Sequence, residues 1–204
     1  MVLISLHPRA LPKALFSLVT LVCLAASSGF AQTMLFTVAS TPYDHQMTRV
    51  SQVLHRPVLA HSDRTSLLAL DSWITSLREM PYRYSPKWRT PREVLSARMG
   101  DCKGKAVALY EKLRAHGARN VRLVIGKHRV DDMRTHAWVE WQTGQGTLLL
   151  DPTFNWRATR ADVQDFSSYI PFYAYDGSHK YRAFNPVQLA SHYTPSTQVA
   201  SGGR

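Results

Sequence analysis

Residues 135–153 read THAWVEWQTGQGTLLLDPT, and this stretch decides the fold. From Thr135 to Trp141 the side chains alternate, His136, Trp138 and Glu140 on one side and Ala137, Val139 and Trp141 on the other. That two-residue period is the mark of a strand with two distinct faces. Gly144 to Gly146 supply a tight turn, and Thr147 to Leu150 return as the partner strand. Such a hairpin makes His136 and Asp151 near neighbours on one sheet face.

Working back from the hairpin, Val121 to Ile125 is an apolar run suited to a buried strand. Before it, a helix begins at Cys102 after the break at Gly100-Asp101, shows Ala106, Leu109, Tyr110 and Leu113 on one face, and ends at Gly117. Thr90-Pro91-Arg92-Glu93 reads as a helix start running to about Arg98, with Thr as N-cap, Pro first and Glu third. Pro81 to Pro91 is a loop holding Trp88. Asp63 to Met80 carries Leu67, Leu70, Trp73, Ile74 and Leu77 at helical spacing, with Asp63 as the expected N-cap and Pro81 as the stop. Gln46 to His61 suggests a short helix or an irregular segment. Helices first and an antiparallel sheet afterwards predict an α+β fold.

The same elements carry a thiol, an imidazole and a carboxylate in that order. A cysteine in the first turn of a helix sits at the positive end of the helix dipole, among backbone N–H groups that lack partners. Both effects favour thiolate over thiol, and those N–H groups can receive an oxyanion. Lys103 and Lys105 add positive charge nearby. His136 in a strand is a candidate base, and Asp151 can fix its tautomer. Each residue also has a purely structural alternative: a buried inert cysteine, a core histidine on a carbonyl, and a turn-forming Asp-Pro. Tyr169, Phe172, Tyr173, Tyr175 and Tyr181 form an aromatic segment that either packs on the sheet or lines a groove. His128 and His136 with Asp131 and Asp132 could bind a metal in principle but match no recognised zinc spacing, and Asp131-Asp132 reads as a solvated loop.

The first 31 residues read as an export signal, with Arg9 and Lys13 ahead of a short apolar run and Gly29-Phe30-Ala31 at the expected cleavage point. An uncleaved anchor is the alternative. Cleavage removes Cys23 and leaves Cys102 as a lone thiol in an oxidising compartment, periplasmic or extracellular, where no intramolecular disulfide can form. Residues 32–62 are expected as an amino-terminal arm, 63–193 as the domain and 194–204 as a disordered tail. The chain has 25 basic and 14 acidic residues, a formal charge of +11. Losing Arg9 and Lys13 still leaves a strongly basic protein suited to the anionic cell envelope. The basic residues are scattered and no nucleic-acid module is recognisable, so no nucleic-acid partner is expected. After cleavage no stable membrane span is expected either.

Taken together, Gly100-Asp101-Cys102 at a helix start, His136-Ala137-Trp138-Val139-Glu140 in a strand and Leu150-Asp151-Pro152-Thr153 at a strand end resemble the transglutaminase-like core, a papain-related superfamily. Trp88-Arg89-Thr90-Pro91-Arg92-Glu93-Val94-Leu95 ahead of them is further similar to bacterial transglutaminase-like cysteine peptidases. The resemblance covers about Trp88 to Thr153. It implies a catalytic triad of Cys102, His136 and Asp151 working through a thioester, with Trp88 near the oxyanion site. The implied substrate is a protein or peptide of the cell envelope, cleaved at an amide bond. Transamidation of a glutamine side chain shares the thioester and stays open, as does a non-catalytic peptide-binding module on the same scaffold. Peptidases of this branch usually carry acidic residues after the cysteine, and some members use neighbouring acids to hold calcium. Here the run is Cys102-Lys103-Gly104-Lys105, so no cofactor is expected and calcium is not.

Overall fold

The computed structural model describes residues 34–58, 65–163 and 168–184. The expected signal (1–31), the Asp63 cap and the tail (194–204) lie outside the described residues. Seven strands form one sheet: β1 (Met34–Thr37), β2 (Val121–Arg129), β3 (His136–Thr143), β4 (Gly146–Leu150), β5 (Thr159–Arg160), β6 (Ser168–Asp176) and β7 (His179–Phe184). They lie in the order β1-β7-β6-β2-β3-β4-β5, and every neighbouring pair is antiparallel. Five helices accompany them: α1 (Asp44–Met47), α2 (Ser51–Leu54), α3 (Leu67–Arg78), α4 (Pro91–Ala97) and α5 (Cys102–Ala115).

α5 is the central helix, and Gly104 through Tyr110 are buried without interruption. It packs against β2 and β3 on one side and against α3 and α4 on the other. The close approach of α4 depends on Gly104, because a Cβ there would lie 2.8 Å from Val94 Cγ2. The alternation in β3 sorts its residues between the sheet faces. Ala137, Val139 and Trp141 join the large core beneath the helices, while Trp138 joins a smaller cluster with Val124, Leu149 and Ala174.

Three expectations shift in detail. α3 begins at Leu67, where Ser66 Oγ accepts from the Ala69 N–H at 3.2 Å and supplies the N-cap. Ser serves as well as Asp there, and Leu67 stays largely exposed while Leu70, Ile74 and Leu77 are buried. β2 runs on past Ile125 to Arg129, because the β6 ladder continues beyond the end of the β3 ladder at Gly126 and pairs Lys127 with Ile170 and Arg129 with Ser168. Of the expected arm, the described residues 34–58 join the domain's core: β1 pairs with β7, and Met47, Val50, Val53 and Leu54 are buried in the main cluster. Apolar spacing in that segment is broken between two short helices and a 3₁₀ turn (Thr48–Val50), so no single period marks it. Among the described residues no helix is long and apolar enough to cross a membrane.

Candidate active site

The hairpin sets the imidazole and the carboxylate side by side. β3 and β4 meet through the two-residue loop Gly144-Gln145, with Thr143 opposite Gly146 and Val139 opposite Leu150. Extending that register by one residue sets Asp151 opposite Trp138, on the same face as His136 and diagonal to it. His136 Nε2–H donates to Asp151 Oδ2 at 2.8 Å, and both side chains are buried. Asp151 Oδ1 accepts from the backbone N–H of Thr153 at 2.8 Å and of Phe154 at 3.4 Å. Burial alone would raise the Asp151 pKa, but the bonds from His136, Thr153 and Tyr169 reverse this and hold it below 3.8.

The thiol arrives from the other side of the core. Asp101 caps α5, its Oδ1 accepting from the Gly104 N–H at 3.0 Å and its Oδ2 from the Ser85 N–H at 3.1 Å. Cys102 is then the first residue of the helix and the free cysteine among the described residues, 8% exposed. His136, bonded to Asp151, also interacts electrostatically with Cys102. With Nε2 engaged by the carboxylate, Nδ1 is the nitrogen left for sulfur. Burial pushes the His136 pKa down, yet the bonds and charges of Asp151 and Cys102 outweigh it and raise the pKa from 6.5 to about 9. An imidazole so placed stays charged through neutral pH.

Neither lysine beside Cys102 adds the free charge expected of it. Lys103 Nζ is paired with Asp101 Oδ2 and lies 5.0 Å over the Tyr84 ring. Lys105 is buried, and its ammonium donates to the carbonyls of Met80 at 2.7 Å and Arg78 at 3.4 Å, closing the end of α3. Burial and nearby Arg78 lower its pKa, against a smaller opposing pull from Asp151. Trp88 is buried in the main core with its indole Nε1 unpaired, and its carbonyl accepts from Arg49 Nε at 3.0 Å. Asp132 accepts from the Arg129 N–H, and Asp131 lies beside the Arg129 side chain. Among the described residues no group of three or more His, Cys, Asp and Glu is arranged to hold a metal.

Three contacts were not anticipated from sequence. Tyr82 forms a parallel bridge with Gly100, and its phenol feels the charge of Cys102. Burial, then the negative charges of Cys102 and Asp101, push its phenol up to about 12, so it remains a neutral donor. His128 stacks on Phe154 at 4.2 Å and meets the His136 ring at 5.9 Å. Tyr169 Oη–H donates to Asp151 Oδ2 at 2.9 Å. These are long-range contacts, and only the aromatic run around Tyr169 pointed toward any of them.

The chain belongs to the transglutaminase-like superfamily, whose family model matches residues 54–157. Among solved structures, calcium-bound LapG of Legionella pneumophila is 17% identical, with 68% of this chain and 76% of that chain covered and a TM-score of 0.49. A second LapG structure from Legionella pneumophila is 16% identical, with 72% of this chain and 80% of that chain covered, again at 0.49. A candidate cysteine protease from Cytophaga hutchinsonii is 14% identical over 69% of this chain and 58% of its own, at 0.38. No curated protein sequence matches the chain.

Proposed function

We propose that this chain is an exported, cysteine-dependent hydrolase that cleaves amide bonds in an envelope or extracellular protein or peptide. One observation carries the reading: a buried imidazole bonded to a carboxylate and held charged by it and by the thiol at the start of α5. The Cys102 sulfur attacks the scissile carbonyl, and the N–H groups of Cys102 and Lys103 at the start of α5 receive the oxyanion that forms, the Gly104 N–H being taken by the Asp101 cap. The charged His136 then gives its Nδ1 proton to the leaving amine as the carbon–nitrogen bond breaks, leaving a thioester. Water adds to the thioester while neutral His136 takes its proton. Collapse frees the carboxylic acid and restores the thiolate and imidazolium. Asp151 stays ionised throughout and fixes the tautomer. Trp88 keeps the oxyanion role that the family resemblance implies, its buried indole N–H having no partner among the described residues.

No cofactor enters this reading. The carboxylate next to Cys102 caps α5 and is already neutralised by Lys103, a donor set that does not suit calcium. The leader over residues 1–31 supports a periplasmic or secreted location, with neither nucleic acid nor a stable membrane span as partner.

The test is alkylation of Cys102 by iodoacetamide against pH, read by mass spectrometry on the Cys102 peptide, in the protein and in His136→Ala. At pH 6 the protein is alkylated faster than His136→Ala, because the imidazolium that favours the thiolate is gone from the variant. Identical profiles would sink the reading.

A further inference from the structure

Asp151 is held by more than its hairpin. Its Oδ2 takes two donors, His136 Nε2 at 2.8 Å and the phenol of Tyr169 at 2.9 Å. Tyr169 also has a φ of +52°, a left-handed conformation that is rare and strained for an aromatic residue. Backbone strain of this kind persists where the surroundings enforce it.

The neighbouring strands show what enforces it. Between β2 and β6 the register slips: Ile125 faces Tyr173, but Gly126 faces Pro171, so Phe172 is an extra residue on β6. Gly126 makes the slip sterically feasible, because a Cβ there would lie 2.0 Å from the Ile170 carbonyl oxygen and 2.8 Å from Pro171 Cα. β6 therefore closes onto β2 at this point. Past the bulge the register sets Tyr169 across from His128, with the two rings edge-on at 4.9 Å. Trp138 bounds the Tyr169 ring on another side at 5.5 Å. The wedged ring aims its hydroxyl at Asp151.

We propose that Tyr169 is a positioning residue of this site: its phenol fixes the Asp151 carboxylate in line with His136 and shares the negative charge on Oδ2. The inference rests on the cysteine-hydrolase reading and adds a fourth side chain to it. Tyr169 acts through Asp151 and touches neither sulfur nor substrate. Burial first, and then the charge of Asp151, push its ionisation far above the ordinary tyrosine value, so the phenol keeps its proton wherever the enzyme works. The other titratable groups facing the pair are Cys102 and Lys105 from α5 and His128 from β2. None of them donates to Asp151 in the hydrogen bonds of the described residues, so Tyr169 has no side-chain substitute besides His136.

Losing the phenol has a definite sign. A carboxylate deprived of a donor becomes more basic, and its charge is concentrated on the remaining bond to His136. Both effects stabilise the imidazolium. In Tyr169→Phe, which keeps the ring, the His136 imidazole followed by NMR titrates about one pH unit higher than in the unaltered protein. Tyr169→Asn is the second variant, since Asn tolerates the left-handed backbone and is too short to reach Asp151. It shows the same upward shift. A folded variant whose His136 titrates at the unaltered position, or lower, overturns the proposal. If His136 of the unaltered protein already titrates near 6.5 like a free imidazole, the cysteine-hydrolase reading fails first and the proposal falls with it.

Discussion

The β3–β4 hairpin and the start of α5 deliver the site in opposite ways. The hairpin brings His136 and Asp151 together across 15 residues of chain, by strand alternation and a two-residue loop. Cys102 reaches the same point only because α5 is clamped by α3, α4, the sheet and the loop at Tyr82. The carboxylate–imidazole pair is thus a product of local register, while the thiol–imidazole pair is a product of tertiary packing. A change in the hairpin should alter the chemistry with little loss of fold. A change in the packing should cost stability first.

The largest effect comes from breaking the local half. Asp151→Asn keeps the shape and an acceptor oxygen but removes the charge that holds the imidazolium. His136 then titrates well below about 9, back toward 6.5, and alkylation of Cys102 at pH 6 slows by about tenfold or more. The pair also ties stability to pH. Because the His136 pKa is raised on folding, the stability its charged form contributes is present below 6.5 and lost as pH rises through about 9. Denaturant unfolding at pH 7 and pH 10 therefore shows a drop at the higher pH that Asp151→Asn largely abolishes. Equal drops in both proteins would mean the hairpin does not set the charge on His136.

A smaller effect, on stability, tests the close approach of backbone on which the far side of the hairpin depends. In Gly126→Ala the new methyl meets the Ile170 carbonyl and the Trp138 ring, which lies 2.7 Å from the Cβ position. Strand β6 must move outward, at a cost of about 3 kcal/mol and several degrees in Tm. His136 also shifts upward in its titration, as the phenol of Tyr169 withdraws. A variant as stable as the original would show that β6 has room to spare, and the strain at Tyr169 would need another cause.

The same division explains what could be read from sequence. The alternation in β3, the Gly144–Gly146 turn, the Thr90 capping box and the helix starting at Cys102 are short-range patterns, and the structure carries all four. The roles of Tyr82, Lys105 and Tyr169 were hidden. Tyr82 meets Gly100 across a loop, Lys105 turns inward to cap α3, and Tyr169 depends on a bulge set by a glycine more than 40 residues earlier. No period or spacing in the chain encodes such meetings. The role of residues 34–58 was hidden for a related reason, since their strand pairs with β7 at the other end of the described chain.

The smallest effect sharpens the contrast from the packing side. Thr90 Oγ1 accepts from the Glu93 N–H at 3.3 Å, and Glu93 Oε2 accepts from the Thr90 N–H at 2.7 Å, so α4 begins with a complete capping box. Removing the hydroxyl in Thr90→Ala costs about 1 kcal/mol, or roughly 2–4 °C in Tm for a chain of this size. The wedge between α4 and α5 is Val94, which is fully buried and packs against Gly100 and Gly104, and the substitution leaves it in place. Cys102 should therefore keep its alkylation profile while the protein melts earlier. If the profile moves as well, the seat of the thiol is so finely balanced on α4 that a lost cap one helix away disturbs it, and the site depends on its scaffold more than on its hairpin.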